Sequence, residues 1–313
     1  MTPRPGGAWA EGSLVADNRT FVRSSAFAPM TPPAALPDTA ALPDTAALLA
    51  RADECRTPCG DGTMVWRLWG SGRPLVLLHG GSGSWNHWLR NIEPLAATGR
   101  RLLVPDLPGF GDSACPTAGN DADAVVEPVL DGLRALLGTA PVDVLAFSFG
   151  SLVATLAAAA HPQRIARLVI LGAPVKPLVP PPFKLRPWLH VQDEAQRRAI
   201  HRHNLAALML ARPQSISQET VDLHAHNLLR DRMRERRLSR TDAMARALER
   251  VQCPLSVIYG REDALYRGRW DEVEAQLRAL PRLRSLRFVE GAGHWVQYEE
   301  PAAFHAAVAE PLA

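Results

Sequence analysis

The stretch "VDVLAFSFGSLVA", Val142 to Ala154, decides the fold. Its first six residues form an apolar run broken by one acid, the pattern of a strand buried on both faces. The residues from Gly150 onward, "GSLVATLAAAAHP", read as an Ala-rich helix. Ser148 stands at the junction between Phe147 and Phe149, with Ala146 two places before it and Gly150 two places after. Serine is a favoured helix cap. A serine on a sharp strand-to-helix turn can also be an exposed nucleophile, and such a turn needs small residues at those two positions because backbone crowds there. Ala146 stands where the G-x-S-x-G pattern has its first glycine, but it is small enough.

The same alternation extends in both directions. "GTMVWRLWG" (62–70) reads as a strand, with "GSGR" (70–73) as a hairpin turn into the buried strand "PLVLLHG" (74–80). A helix is expected over Trp85–Ala97. A second buried strand runs into the Gly/Pro loop of "RRLLVPDLPGFGDS" (100–113), and apolar spacing of three and four predicts a helix over 123–138, ended by Gly138. "RIARLVILGAP" (164–174), "PLSVIYG" (254–260) and "RLRSLRFVEG" (282–291) are further strands, with the helix "RWDEVEAQLRAL" (269–280) between the last two. Strands alternating with helices predict an α/β fold with a mostly parallel, doubly wound sheet.

Two segments depart from this rhythm. Residues 1–50 are Ala/Pro-rich and hold the hexapeptide "ALPDTA" twice, at 35–40 and 41–46, too few copies for a solenoid. Residues 1–36 are expected to be loose. A short helix capped by Asp44 or Thr45 is expected after Pro43. Residues 176–250 carry helical patterns, several prolines and no convincing strand. They hold 15 Lys and Arg against 8 Asp and Glu, an excess of seven positive charges in a chain of net charge +3. A helical insertion there, between core segments 51–175 and 251–313, reads as a lid over the carboxyl ends of the strands, where open α/β sheets bind ligands.

With 313 residues, 47% hydrophobic and 21% charged, the chain can bury a sizeable core, and global disorder is not expected. The small net charge argues against nucleic acid and membrane as partners. No apolar run is long enough for a transmembrane helix, and no secretory signal is seen, so a cytoplasmic protein is expected. Composition sets no oligomeric state. Cys55, Cys59, Cys115 and Cys253 lack the spacing of a zinc site, and His201-Arg202-His203 has no carboxylate partner. Neither metal nor cofactor is expected.

Three residues sit where core strands should end on one sheet edge: Ser148, Asp263 in "VIYGREDAL" (257–265) and His294 in "VEGAGHWVQYEEP" (289–301). Each alone has an ordinary reading as cap, loop acid or loop histidine, and Glu262 adjoins Asp263. Together, in the order Ser, Asp, His, they fit a catalytic triad. Serine needs a base to become a nucleophile, histidine titrates near the required pH, and a carboxylate fixes its tautomer. "LLHGGSGSW" (77–85) places glycines after another strand, and the amides of Gly81 and Phe149 are candidates for an oxyanion hole. His79 is expected to be a structural histidine bonded within that loop.

"HGG", "DLPGFGDS", "AFSFGS", "YGREDAL" and "GAGHW", in that order, resemble the α/β-hydrolase superfamily over residues 55–313. The resemblance implies the α/β-hydrolase fold, a serine hydrolase and a lid roofing a small-molecule pocket. "GHWVQYEEP" looks like the carboxy-terminal motif of hydrolases that cleave carbon–carbon bonds in ring meta-cleavage products, and those enzymes share a tryptophan at the position of Trp295. They usually have an Asn before the serine's flanking residue and "SMGG" at the elbow, where this chain has "AFSFGS". A serine at 148 disfavours the aspartate-nucleophile dehalogenases and epoxide hydrolases.

These readings imply a small-molecule carbonyl substrate, either a carboxylic ester or a meta-cleavage-type diketone. For the diketone, the serine can instead activate water. Cofactor-free haloperoxidase, perhydrolase and lactonase chemistry fits the same residues. A non-catalytic ligand sensor is the rival from another class, because fold does not fix function. Expected substrate contacts are Gly80, Ser82, Phe147, Trp188, Arg186 and Trp295. The basic insertion suggests an anionic substrate, with Arg186 or Arg202 pairing its carboxylate, although "RDRMRERRLSR" (230–240) also reads as a solvated helix face.

Overall fold

The computed structural model describes residues 42–178 and 183–313; the loose segment expected over 1–36 and the first "ALPDTA" copy lie outside the described residues. Eight strands form one sheet: β1 (Asp53–Cys59), β2 (Gly62–Trp69), β3 (Arg73–Leu78), β4 (Arg100–Pro105), β5 (Val142–Phe147), β6 (Ile165–Leu171), β7 (Leu255–Gly260) and β8 (Leu283–Val289). Their spatial order is β1-β2-β4-β3-β5-β6-β7-β8. The β1–β2 and β2–β4 pairs are antiparallel and all others are parallel.

The helices are α1 (Thr45–Leu49), α2 (Ile92–Ala96), α3 (Ala122–Leu137), α4 (Phe149–Ala160), α5 (Glu194–Asn204), α6 (Gln218–Leu229), α7 (Ala243–Arg250), α8 (Trp270–Arg278), α9 (Val296–Glu299) and α10 (Pro301–Leu312). Asp44 caps α1, accepting from the Ala46 and Ala47 amides. Strand residues alternate between two cores. Val76, Leu78, Val144 and Ala146 meet α3, α4, α7 and α8 on one face, while Leu75, Leu77, Leu145 and Phe147 meet α2 and α10 on the other. Both faces are therefore covered, which is why these strands are apolar throughout.

β3 lies between its two successors. The chain leaves it for β4 on one side and then crosses to β5 on the other. This reversal opens a crevice at the carboxyl ends of β3 and β5. The His79–Gly83 loop leaves one rim and Ser148 the other, brought together by the pairing of Leu78 with Ala146.

Two expectations are corrected. "GSGR" is not a hairpin turn, because β4 lies between β2 and β3. The turn crosses over the start of β4, and a Cβ on Gly70 or Gly72 would lie 2.4 Å from the Arg100 carbonyl oxygen or 2.3 Å from that of Gly99. The true hairpin joins β1 to β2, with Cys59 opposite Gly62. The helix expected over Trp85–Ala97 is split into a 3₁₀ turn, Trp85–Trp88, and α2, because Pro94 has no N–H to give the preceding turn. In the insertion, no strand occurs among the described residues. Its last helix, α7, buries Met244 and Leu248 in the cluster that holds Leu152 and Ala154 of α4. No described helix is long and apolar enough to cross a membrane.

The loop that carries His294 passes over the end of β7. A Cβ on Gly260 would lie 2.1 Å from the Gly293 carbonyl oxygen and 2.2 Å from that of Ala292. Gly260→Ala should therefore cost at least about 1–3 kcal/mol, the range for overpacking, as read by urea denaturation. Unchanged stability would mean that the loop does not lie this close.

Candidate active site

Ser148 follows β5 directly and precedes the first residue of α4. It holds φ +50° and ψ −111°, and its side chain makes no capping hydrogen bond. A left-handed backbone at a residue with a Cβ costs about 1–3 kcal/mol and is kept only where its surroundings enforce it. Here the Ser148 amide donates to the Leu171 carbonyl at 2.8 Å, and the Ser148 carbonyl accepts from Leu152 at 3.2 Å. Gly150 is needed because a Cβ there would lie 2.6 Å from the His79 oxygen and 2.7 Å from that of Leu78. Ala146 lies fully buried within β5, where a methyl is accommodated. The turn thus leaves the hydroxyl free of the backbone.

His294 Nε2 lies 2.9 Å from Ser148 Oγ, and its Nδ1 lies 2.9 Å from Asp263 Oδ2. Asp263 is fully buried, and its other oxygen accepts from the Leu265 amide at 2.9 Å. Glu262 turns away and lies 3.8 Å from Arg267. Gly172, at φ +51°, leaves room for the histidine, since a Cβ there would sit 2.9 Å from the imidazole. The carboxyl ends of β5, β7 and β8 thus supply the three groups, and glycines after β6 and at the end of β7 clear the path between them.

The glycine loop is held from both sides. His79 Nδ1–H donates to the Gly80 carbonyl at 2.8 Å, while its Nε2 accepts from the Leu107 amide at 2.8 Å, which fixes the tautomer. Burial holds the ring below the usual histidine range, against the pull of Asp106, so it stays neutral. The Gly80 carbonyl and the Gly81 N–H share one trans peptide, so turning the carbonyl toward His79 turns the N–H away from it. His87 Nδ1 accepts from the Gly80 amide at 3.3 Å, and a Cβ on Gly83 would strike the His87 ring. Gly81 and Phe149 lie on opposite rims of the crevice; a Cβ on Gly81 would be 3.5 Å from the Phe149 Cβ.

A chamber of about 280 Å³ opens on Ser148 and His294, with Phe147, Phe149, Leu208 and Arg236 in its walls. A second, of about 390 Å³, extends past Gly81 and Ser82 to His87, Arg186, Trp188 and His224. The two share Gly81, Ser82, Leu185, Leu208 and Met209. Of the expected contacts, Ser82 and Phe147 thus line the chamber that opens on Ser148, and Arg186 and Trp188 line only the second chamber. Gly80 lies beneath, where a Cβ would strike the Phe147 ring at 2.8 Å. Trp295 is fully buried; it stacks on Tyr298 and donates to the His87 carbonyl, and it lines neither chamber. Arg202 donates to the Ile216 carbonyl, likewise outside both chambers. Among the described residues no group of three His, Cys, Asp or Glu side chains is placed to hold a metal ion.

Two residues went unnoticed in the sequence. Arg236 lies over the rings of Phe110 and Phe149 at 5.1 and 5.2 Å. Its Nη1 bonds both oxygens of the buried Asp231, at 2.9 and 3.0 Å, and its Nη2 reaches Ser82 Oγ at 3.3 Å. Ser82 has φ +50°, and its hydroxyl donates to Asp231 at 2.6 Å. The second is Glu299, 1% exposed. One of its oxygens accepts from Gly293 at 2.6 Å and Ala211 at 3.0 Å, and the other accepts from Arg212 at 2.8 Å. The Trp295 amide donates to the Met209 carbonyl at 2.8 Å. Both neighbours of His294 are therefore tied to the Met209–Arg212 turn of the insertion. The only signals were an arginine-dense stretch and one acid of "YEEP".

A family model described as the alpha/beta hydrolase family matches residues 75–307. The 2-hydroxy-6-oxononadienedioate/2-hydroxy-6-oxononatrienedioate hydrolase 2 of Pseudomonas putida is 29% identical over 263 residues, covering 76% of this chain and 87% of that protein. The hydrolase of the same name from Cupriavidus pinatubonensis is 28% identical, over 76% of this chain and 86% of its own. Among solved structures, a mutant of the meta-cleavage product hydrolase CumD superposes with a TM-score of 0.65 at 21% identity, covering 82% of this chain and 97% of that chain; this likeness is one of fold.

Glu299→Gln keeps the shape but turns an N–H toward backbone donors. It should cost about 1–3 kcal/mol, the desolvation penalty of unpaired buried groups, and speed hydrogen exchange at Gly293, Ala211 and Arg212. Mass-spectrometric exchange that is unchanged at those amides would remove Glu299 from this joint.

Proposed function

The chain belongs to the alpha/beta hydrolase family, and on that footing we propose that it is a serine hydrolase acting on a small carboxylic acid, cleaving a bond beside a carbonyl. The supporting observation is the 2.9 Å approach of His294 Nε2 to a Ser148 hydroxyl that makes no capping bond. The names of the relatives favour a carbon–carbon bond in an unsaturated keto acid. A carboxylic ester is the convenient test substrate.

In this reading Ser148 Oγ bonds to the carbonyl carbon as its proton passes to His294 Nε2. The carbonyl electron pair moves to oxygen, where the Gly81 and Phe149 amides meet it. Asp263 steadies the imidazolium. Collapse of the adduct breaks the bond to the leaving group, which takes the proton from His294. Water then gives a proton to His294 and its oxygen to the acyl carbon, and Ser148 departs with the proton. A carbon leaving group must spread its charge into an adjoining unsaturated system before His294 protonates it.

Arg236 is the residue in the first chamber suited to a substrate carboxylate, in place of Arg186 or Arg202. Asp231 and the Met233 carbonyl occupy Nη1 and Ser82 Oγ accepts one N–H of Nη2, which leaves the second Nη2 N–H and Nε–H. Arg186 is exposed, and a solvated cation contributes at most about 1 kcal/mol.

A fluorophosphonate probe should label Ser148 in the native protein and not in Ser148→Ala. His294→Ala should lower kcat on a p-nitrophenyl ester by ~10³–10⁶, and Asp263→Asn by roughly 10⁴. Absence of labelling would favour the ligand-sensor reading. Arg236→Gln should lower kcat/KM for an acidic ester about tenfold more than for a neutral ester of equal size; equal losses would take the carboxylate away from Arg236.

A further inference from the structure

The second chamber differs in chemistry from the first. Its walls are mostly apolar, with Trp188, Leu208, Met209 and Leu228 among them. Apart from Ser82 at the rim shared with the first chamber and the exposed Arg186 and His190, three polar side chains interrupt this lining: His87, Asn204 and His224. Asn204 is already engaged, accepting from the Arg186 amide at 2.8 Å and donating to its carbonyl at 2.9 Å. The two imidazoles are not. Because His87 Nδ1 accepts from Gly80, the proton of the neutral ring sits on Nε2, which has no hydrogen-bond partner among the described residues. Neither ring nitrogen of His224 has one among the described residues; that ring meets the His201 ring edge-on at 5.9 Å.

Both rings are uncharged at neutral pH. Burial holds His87 well below the usual histidine range, and burial followed by the neighbouring His201 pushes His224 down to about 3. A carboxylate entering between them would lose its hydration, and neither ring would offer it a counter-charge. Arg186 in this lining and Arg234 over the Trp188 ring are both exposed, so their attraction is screened, and Arg236, which reaches Ser82 at the shared rim, is already paired with Asp231. A wall with unpaired donors discriminates strongly, however, against a ligand that cannot pair them.

We infer that the second chamber takes the end of the substrate remote from the cleaved bond and selects an uncharged ring bearing a phenolic hydroxyl, met by the ring nitrogens of His87 and His224. The word "substrate" rests on the proposed role of Ser148; the binding preference does not. The ligand is then asymmetric, with a carboxylate at Arg236 and a neutral phenol at the far end, unlike the dioates named for the relatives. A volume of about 390 Å³ holds such a ring, within the range of ordinary ligand sites.

The test uses the full chain carrying Ser148→Ala, which separates binding from turnover. Calorimetry would measure a series of ω-phenylalkanoates of three to six carbons, each with hydrogen, hydroxyl or carboxylate at the para position. At the best-fitting length the hydroxyl compound should bind roughly 5- to 10-fold more tightly than the unsubstituted one, the size of one net hydrogen bond, and the carboxylate compound should be weakest. Adding His224→Phe should bring the ratio of the hydroxyl to the unsubstituted constant close to one. Tightest binding by the carboxylate compound, no hydroxyl advantage, or an advantage that survives His224→Phe would overturn the assignment. Probe labelling of Ser148 in the unsubstituted chain reads the nucleophile separately, so either idea can fail alone.

Discussion

The pairing of Leu78 in β3 with Ala146 in β5 is the constraint on which the site depends. It sets the height at which two loops leave the sheet, one carrying Gly81 and the other Ser148. Side chains alternate faces along a strand, so a slip of one residue would exchange the two cores and rotate both loops. The apolar patterning of both strands forbids that slip, because Val76 and Leu78 belong to one core and Leu75 and Leu77 to the other. Core packing fixes the register, and the register brings Gly81 and Phe149 onto facing rims.

The strain at Ser148 is held by the same arrangement. Its amide and carbonyl are both hydrogen-bonded, and Gly150 lets α4 rest on the carbonyls at the end of β3. The serine cannot relax without disturbing β3, β6 and α4 together. Ser82, the other residue with a Cβ and a positive φ among the described residues, is secured through its side chain, by Asp231 of the insertion.

The sequence made the central sheet legible because a parallel sheet covered on both faces demands continuous apolar runs, and such runs are hard to mistake. The three groups around Ser148 were legible for a related reason: each follows a strand end, and the sheet collects strand ends on one edge. Arg236 and Glu299 were not. Both act across distances of more than sixty residues along the chain, through Ser82 for Arg236 and through Ala211 and Arg212 for Glu299, and nothing local separates them from neighbouring charges. The GSGR turn reads locally as a hairpin because it joins strands consecutive in sequence, whereas β4, from thirty residues further on, inserts between them in space. Trp295 lies next to His294, yet its ring is packed on Tyr298 below the chambers.

The bonds of Glu299 bear on how this scaffold can change its preferences. An insertion between β6 and β7 looks like an interchangeable module that could be swapped for another roof. Here it is not independent of the base, because Ala211, Arg212 and Met209 are fastened to the residues on either side of His294. A transplanted roof must bring a matching turn at that point or displace the imidazole it covers. Divergence by piecemeal substitution within the chambers is then open to this lineage, while wholesale exchange of the insertion is closed unless the Met209–Arg212 turn is kept.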